Sequence, residues 1–178
     1  AERLAASMPP PPTPEEIQAI LAAADPERRL LYQVALASGL RANELRSLRA
    51  RHLDVLNSGL KLEAGWTKGR KAIFQPVHPV LIAALAEAAK TKAADDALLV
   101  VPVETASMLY RDMKKAGVPK LTSEGKLDFH ALRTGYATLV FEAGATVKEA
   151  QSLARHSTPD LTLNVYARTR SARLAEVA

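Results

Sequence analysis

His52-Leu53-Asp54-Val55, Leu60-Lys61-Leu62-Glu63 and Ala72-Ile73-Phe74-Gln75-Pro76-Val77 are the stretches on which the reading of the fold turns. Each is short and apolar residues recur within it, the pattern of short strands. Thr67-Lys68-Gly69-Arg70-Lys71, a basic turn with one glycine, lies between the second and third. The rest of the chain reads as helix. Upstream, Thr13-Pro14-Glu15-Glu16 is a helix start, with Thr13 as cap, Pro14 in the first turn and Glu16 closing a capping box. That helix runs to about Ala24, a second covers Arg28 to Ser38 and stops at Gly39, and a third covers Ala42 to Leu48. Downstream, helices are expected from Val80 to Lys90, Thr105 to Ala116, Phe129 to Ala143, and from the Thr146 cap to Arg155. Two last pieces are expected at Pro159 to Tyr166 and Ser171 to Val177. Helices, a small sheet, then helices predict an α+β domain, mainly helical, around a three-stranded antiparallel sheet.

The 178 residues suit one domain, and an apolar share of 48% is enough for a sizeable core. Pro9-Pro10-Pro11-Pro12 favours an extended spacer. Residues 1–12 are therefore expected to be the remnant of an interdomain linker, and 13–178 the domain itself. The chain starts at Ala1 without a methionine, which suggests a fragment of a longer protein with a domain upstream. There is no apolar run long enough for a membrane span and no signal layout. Cysteine is absent, which removes disulfides, a thiol nucleophile and thiolate zinc sites. A cytoplasmic protein is expected. The formal charge is +5, which is compatible with a polyanionic partner and equally with a mildly basic enzyme.

Four signals bear on chemistry. In Ser38-Gly39-Leu40-Arg41-Ala42-Asn43-Glu44-Leu45, Arg41 opens a helix, where its fork can grip two anionic oxygens, and Glu44 lies on the same face. Taken alone, this is an ordinary surface ion pair. Lys68 sits on the sheet turn, where it can donate a proton or remain solvated; Lys71 competes with it. His130 and Arg133 are three apart and share a helix face, pairing a proton exchanger with a cation. In the run from Arg155-His156 to Val165-Tyr166, the tyrosine is a nucleophile only if cations or a base assist its phenol.

In this order the set resembles the tyrosine recombinase (phage integrase) family, and the local contexts match. Ser38–Leu45 is similar to the first-arginine box of that family, and Thr67–Lys71 with the strand ending in Val77 is similar to its lysine hairpin. His130-Ala131-Leu132-Arg133-Thr134-Gly135-Tyr136 resembles its second box. Leu153-Ala154-Arg155-His156-Ser157 with Thr162-Leu163-Asn164-Val165-Tyr166 resembles the box that ends in the nucleophile. The boxes stand in register, and the match spans roughly residues 13–170. Two features depart from the pattern. His156 to Tyr166 is ten residues, one more than the commoner spacing, a lengthening that Ser157-Thr158-Pro159-Asp160 can absorb. Arg155 stands where glycine often precedes the histidine.

The resemblance implies the catalytic-domain fold of that family and a reaction without metal or cofactor. Consistent with this, the chain lacks His-Glu-x-x-His and any Asp/Glu cluster of the magnesium-binding type. It implies that Tyr166 attacks a DNA phosphate, forming a 3′-phosphotyrosyl link and releasing a 5′-hydroxyl, which a partner strand's 5′-hydroxyl then reverses. Arg41, Arg133 and His156 would hold the non-bridging oxygens, Lys68 would protonate the leaving oxygen, His130 would accept the tyrosine proton or orient the phosphate, and Glu44 would support the site. Arg70 and Lys71 are candidates for DNA contact. Double-stranded DNA is the implied partner, with a homotetramer formed on it and the segment from Arg168 docking on a neighbour. The alternatives are a type IB topoisomerase-like strand transferase, disfavoured by the short chain, and a non-catalytic DNA-binding module.

Overall fold

The computed structural model describes residues 8–67 and 69–177. Helices α1 (Pro14–Ala23), α2 (Pro26–Ser38) and α3 (Ala42–Ser47) lead into strands β1 (Leu53–Asp54), β2 (Gly59–Leu62) and β3 (Ile73–Pro76). Helices α4 (Pro79–Ala89) and α5 (Thr105–Ala116), a hairpin of β4 (Leu121–Thr122) and β5 (Gly125–Lys126), and helices α6 (Ala131–Glu142), α7 (Val147–Ala154) and α8 (Pro159–Val177) complete the fold. The main sheet is antiparallel in the order β1-β2-β3. The architecture is thus mainly helical, around a small three-stranded antiparallel sheet.

The capping signals work as the sequence predicts. The Thr13 hydroxyl accepts from the Glu16 amide at 3.2 Å, and the Glu16 carboxylate accepts from the Thr13 amide at 2.8 Å. Thr146 and Glu149 repeat this box at the start of α7. Several boundaries differ from expectation. Helix α2 begins at Pro26 rather than Arg28, because the Asp25 carboxylate accepts the Arg28 amide and caps the helix. The strands are shorter than their apolar runs. Glu63 leaves β2 and turns its carboxylate to His52 and Arg51. The two expected final helices are one unbroken helix, α8, since nothing between Tyr166 and Ser171 is a helix breaker. The β4–β5 hairpin was not foreseen; its two-residue strands are too short to show a period.

A large core forms where α2, α3, β2, α4 and α5 meet, with Leu31, Val34, Leu45, Leu60, Leu62, Leu85, Leu109 and Met113 buried. Leu60 and Leu62 point inward while Lys61 between them points out and pairs with Asp54 at 2.9 Å, the alternation of a one-sided sheet. Asp112 ties α5 to α2: it accepts from Arg28 Nε at 2.7 Å, Arg28 Nη2 at 3.0 Å and Tyr32 Oη at 2.7 Å. A second cluster, Met8, Ala137, Phe141, Ala150, Ala154 and Val165, fills the space between α6, α7 and α8. Met8 thus packs on the domain, and Arg168 donates to its carbonyl at 3.3 Å. Among the described residues no helix is long and apolar enough to cross a membrane.

Gly39 sets the corner between α2 and α3. Its φ of 62° is left-handed, and a Cβ there would collide with the Tyr136 ring. Only glycine combines that turn with that approach. The corner therefore sits against α6, and its carbonyl is free to accept hydrogen bonds from across the domain.

Candidate functional site

The site forms where the α2–α3 corner, the start of α6 and the α7–α8 turn converge. Arg41 immediately precedes α3, so its side chain leaves the corner at the mouth of a cleft of about 250 Å³. Leu40, Asp128, Phe129, His130 and Arg133 also line the cleft. His130 precedes the first residue of α6 and Arg133 lies in its first turn, which puts both on this wall.

Arg133 is buried and aimed by backbone carbonyls. Its Nη1 donates to Gly39, and its Nη2 donates to Ala154 and, at 3.4 Å, to Arg155. One guanidinium thus joins the corner, α6 and the end of α7. Burial, then the neighbouring Arg41 and Arg155, pulls its pKa down to about 9, so it remains a cation at neutral pH. His156 is buried, and its Nδ1 lies 2.9 Å from the Thr162 hydroxyl in the first turn of α8. Its Nε2 is buried and has no hydrogen-bond partner among the described residues. Burial, then Arg133, Arg41, His130 and Arg155, lowers its pKa to about 4, so the ring is neutral at pH 7. A Thr162 hydroxyl that donates to Nδ1 leaves the ring hydrogen on Nε2, which is then a hydrogen-bond donor. His130 is pushed down by loss of hydration in the cleft and by Arg133, with Asp128 opposing.

Glu44 is buried behind Arg41. Its Oε2 accepts from the Arg41 amide at 2.7 Å. Its Oε1 lies 3.3 Å from Arg41 Nη1 and 3.0 Å from Arg155 Nη1. Burial raises its pKa, but Arg155 and the Arg41 amide outweigh that, and the carboxylate is held below its ordinary value.

Tyr166 stands apart from this group. It is 38% exposed, and its ring packs on Phe141 at 5.3 Å between centroids. Among the described residues, no hydrogen bond joins it to Arg41, Arg133, His130 or His156. It lies four residues after Thr162, so the two share one side of α8, about 6 Å apart along the axis. Lys68 lies outside the described residues. Thr67 and Lys71 are tied together: the Thr67 hydroxyl accepts the Lys71 amide at 3.1 Å and donates to the Lys71 carbonyl at 2.8 Å. Arg70, with a left-handed φ of 49°, and Lys71 are exposed.

Two residues of the site carry no clear signal in the sequence. Thr162 orients His156, and only its place within the last motif points to it. Arg155 reads as a spare surface charge beside His156, yet it is folded inward.

Fold and residue set together define the catalytic-domain class of tyrosine recombinases. The chain belongs to the phage integrase family, whose model matches residues 12–173. It is 32% identical over 154 residues to tyrosine recombinase XerC of Xanthomonas axonopodis pv. citri, covering 84% of this chain and 49% of that protein. The chain spans about half the length, or less, of the curated relatives it matches. A crystal structure of XerA recombinase superposes with a TM-score of 0.73 at 22% identity, over 93% of this chain and 61% of that one. The Tn1549 transposon integrase in complex with circular intermediate DNA does so with a TM-score of 0.68 at 22% identity, over 92% and 64%.

Proposed function

We propose that this chain is the DNA-cleaving part of a site-specific recombinase that works through a 3′-phosphotyrosyl intermediate on Tyr166. One observation carries the reading: Arg41, His130 and Arg133 line one small cleft, and His156, whose Nε2 is buried without a partner among the described residues, lies near enough to feel the charge of all three. Fixed cations and one neutral donor suit the non-bridging oxygens of a phosphate whose charge grows in the transition state. In this reading the Tyr166 oxygen bonds to phosphorus, the bond to the 5′-oxygen breaks, and Lys68 supplies the proton that oxygen takes up. His130 accepts the tyrosine proton or orients the phosphate, and Glu44 supports Arg41. Because the Tyr166 ring rests on Phe141, the reading includes a shift of this ring towards the cleft when DNA binds.

Double-stranded DNA is the substrate in this reading, in the cytoplasm, with Arg70 and Lys71 reaching its backbone. Residues 13–178 act as the catalytic domain, residues 1–12 lead from a core-binding domain upstream, and four copies assemble on DNA with the segment from Arg168 docking on a neighbour. The share of each relative that the chain covers supports such a division. The family match favours a recombinase over a topoisomerase-like or non-catalytic role.

A nicked suicide duplex tests the assignment. Wild-type protein is expected to form a covalent adduct and Tyr166→Phe none; an adduct that persists in the Phe variant removes Tyr166 as nucleophile. Lys68→Ala is expected to abolish cleavage and Lys71→Ala to leave it; the reverse result moves the general acid to Lys71.

A further inference from the structure

Arg155 has a conformation that its residue type disfavours. It ends α7 with φ 53° and ψ 43°, the left-handed region in which glycine is relaxed and other residues are strained by roughly 1 kcal/mol. Its side chain is nevertheless only 8% exposed. Its Nη2 donates to the Gly39 carbonyl at 3.1 Å, and its Nη1 lies 3.0 Å from Glu44 Oε1. The side chain thus crosses from the α7–α8 turn to the corner that carries Arg41, and it shares one carboxylate oxygen with Arg41.

That shared oxygen matters for an anion site. A buried, uncompensated carboxylate would repel a phosphate and would also draw the Arg41 fork into a closed pair. We propose that Arg155 is a positioning residue that neutralises Glu44, so that Glu44 braces the Arg41 backbone while the Arg41 guanidinium keeps its charge for a phosphate in the cleft. With Arg155 in place, the three arginines and Glu44 leave two net positive charges at the site. Without it, one remains, and the nearest carboxylate leans on Arg41 alone. Arg155 itself is too enclosed to meet substrate. The inference rests on the phosphate-binding reading above.

The test uses the whole chain and inorganic phosphate, read by NMR at the Arg41 side chain and the His156 ring, beside a thermal melt. Wild type is expected to respond to phosphate. Arg155→Gly is expected to stay folded, since glycine relieves the left-handed strain, and to bind phosphate roughly tenfold more weakly, the size of one unit charge several ångströms away at an intermediate dielectric. Arg155→Lys should keep most of the affinity and Arg155→Gln should lose it, a pair that carries the test if the glycine variant melts early. The deciding variant is Arg155→Gly with Glu44→Gln. Removing the uncompensated carboxylate should restore binding, whereas a merely structural Arg155 predicts no recovery. Arg155→Gly binding like wild type, or no recovery in the double variant, overturns the proposal. A folded wild-type protein indifferent to phosphate overturns the phosphate-site reading itself, and this inference with it.

Discussion

Acid should destabilise this domain in a window set by His156. The folded-state pKa is about 4, whereas an unfolded chain carries a histidine near 6.5. The unfolded state therefore binds the extra proton between these values, and the folded state does not. Stability from this group is complete above about pH 6.5 and is lost as pH falls towards 4. At 1.36 kcal/mol per unit, the gap amounts to roughly 3 kcal/mol. His130 is shifted in the same direction and adds to the slope. Glu44 and Asp112 are held below their ordinary values, so their losses come later, on further acidification. Urea midpoints measured from about pH 7.5 to 4.5 should fall with a slope approaching one proton's worth per unit, and His156→Gln should flatten most of it. Phosphate in the cleft should pull the His156 pKa back up, because an anion stabilises the imidazolium. An imidazole that titrates near 6.5 by NMR, or an acid slope unchanged in His156→Gln, would refute the reasoning.

Three further outcomes follow from the same geometry. Asp112→Ala strands a buried Tyr32 hydroxyl and the Arg28 fork, and should cost about 3 kcal/mol in denaturant unfolding. Gly39→Ala adds left-handed strain to a clash with the Tyr136 ring; a loss of roughly 2–4 kcal/mol is expected, and an unchanged melting temperature would contradict the account of the corner. Thr162→Val removes the partner of His156 Nδ1, and should slow adduct formation on the nicked duplex by about tenfold while lowering stability by only about 1 kcal/mol; full activity would show that the tautomer is held some other way.

Much of the fold was legible because local rules decide it. Thr13, Glu16, Thr146, Gly39 and Gly117 start or stop helices by hydrogen bonds and dihedrals that reach only a few residues. Leu60-Lys61-Leu62 announces a one-sided strand by its own alternation. The β4–β5 hairpin and the unbroken α8 were not legible. The hairpin is too short to carry a period, and although no breaker interrupts α8, the inward residues among those described, Leu161, Thr162, Val165, Arg168 and Thr169, are too polar a stripe to announce one helix by apolar periodicity.

The residues proposed for the site, Arg41, Lys68, His130, Arg133, His156 and Tyr166 in that order, are read from the sequence alone. So is family membership, since both rest on residue identity and spacing. Only the tertiary structure decided what each group faces. Residues 94 and 116 positions apart, Arg133 with Gly39 and Arg155 with Gly39, meet because three element ends close on one carbonyl. That closure withdraws His156 from water and keeps its ring neutral. It also turns Arg155 from a surface charge into the partner of a buried Glu44. Charge state and burial depend on neighbours distant in the chain, and no local pattern encodes them.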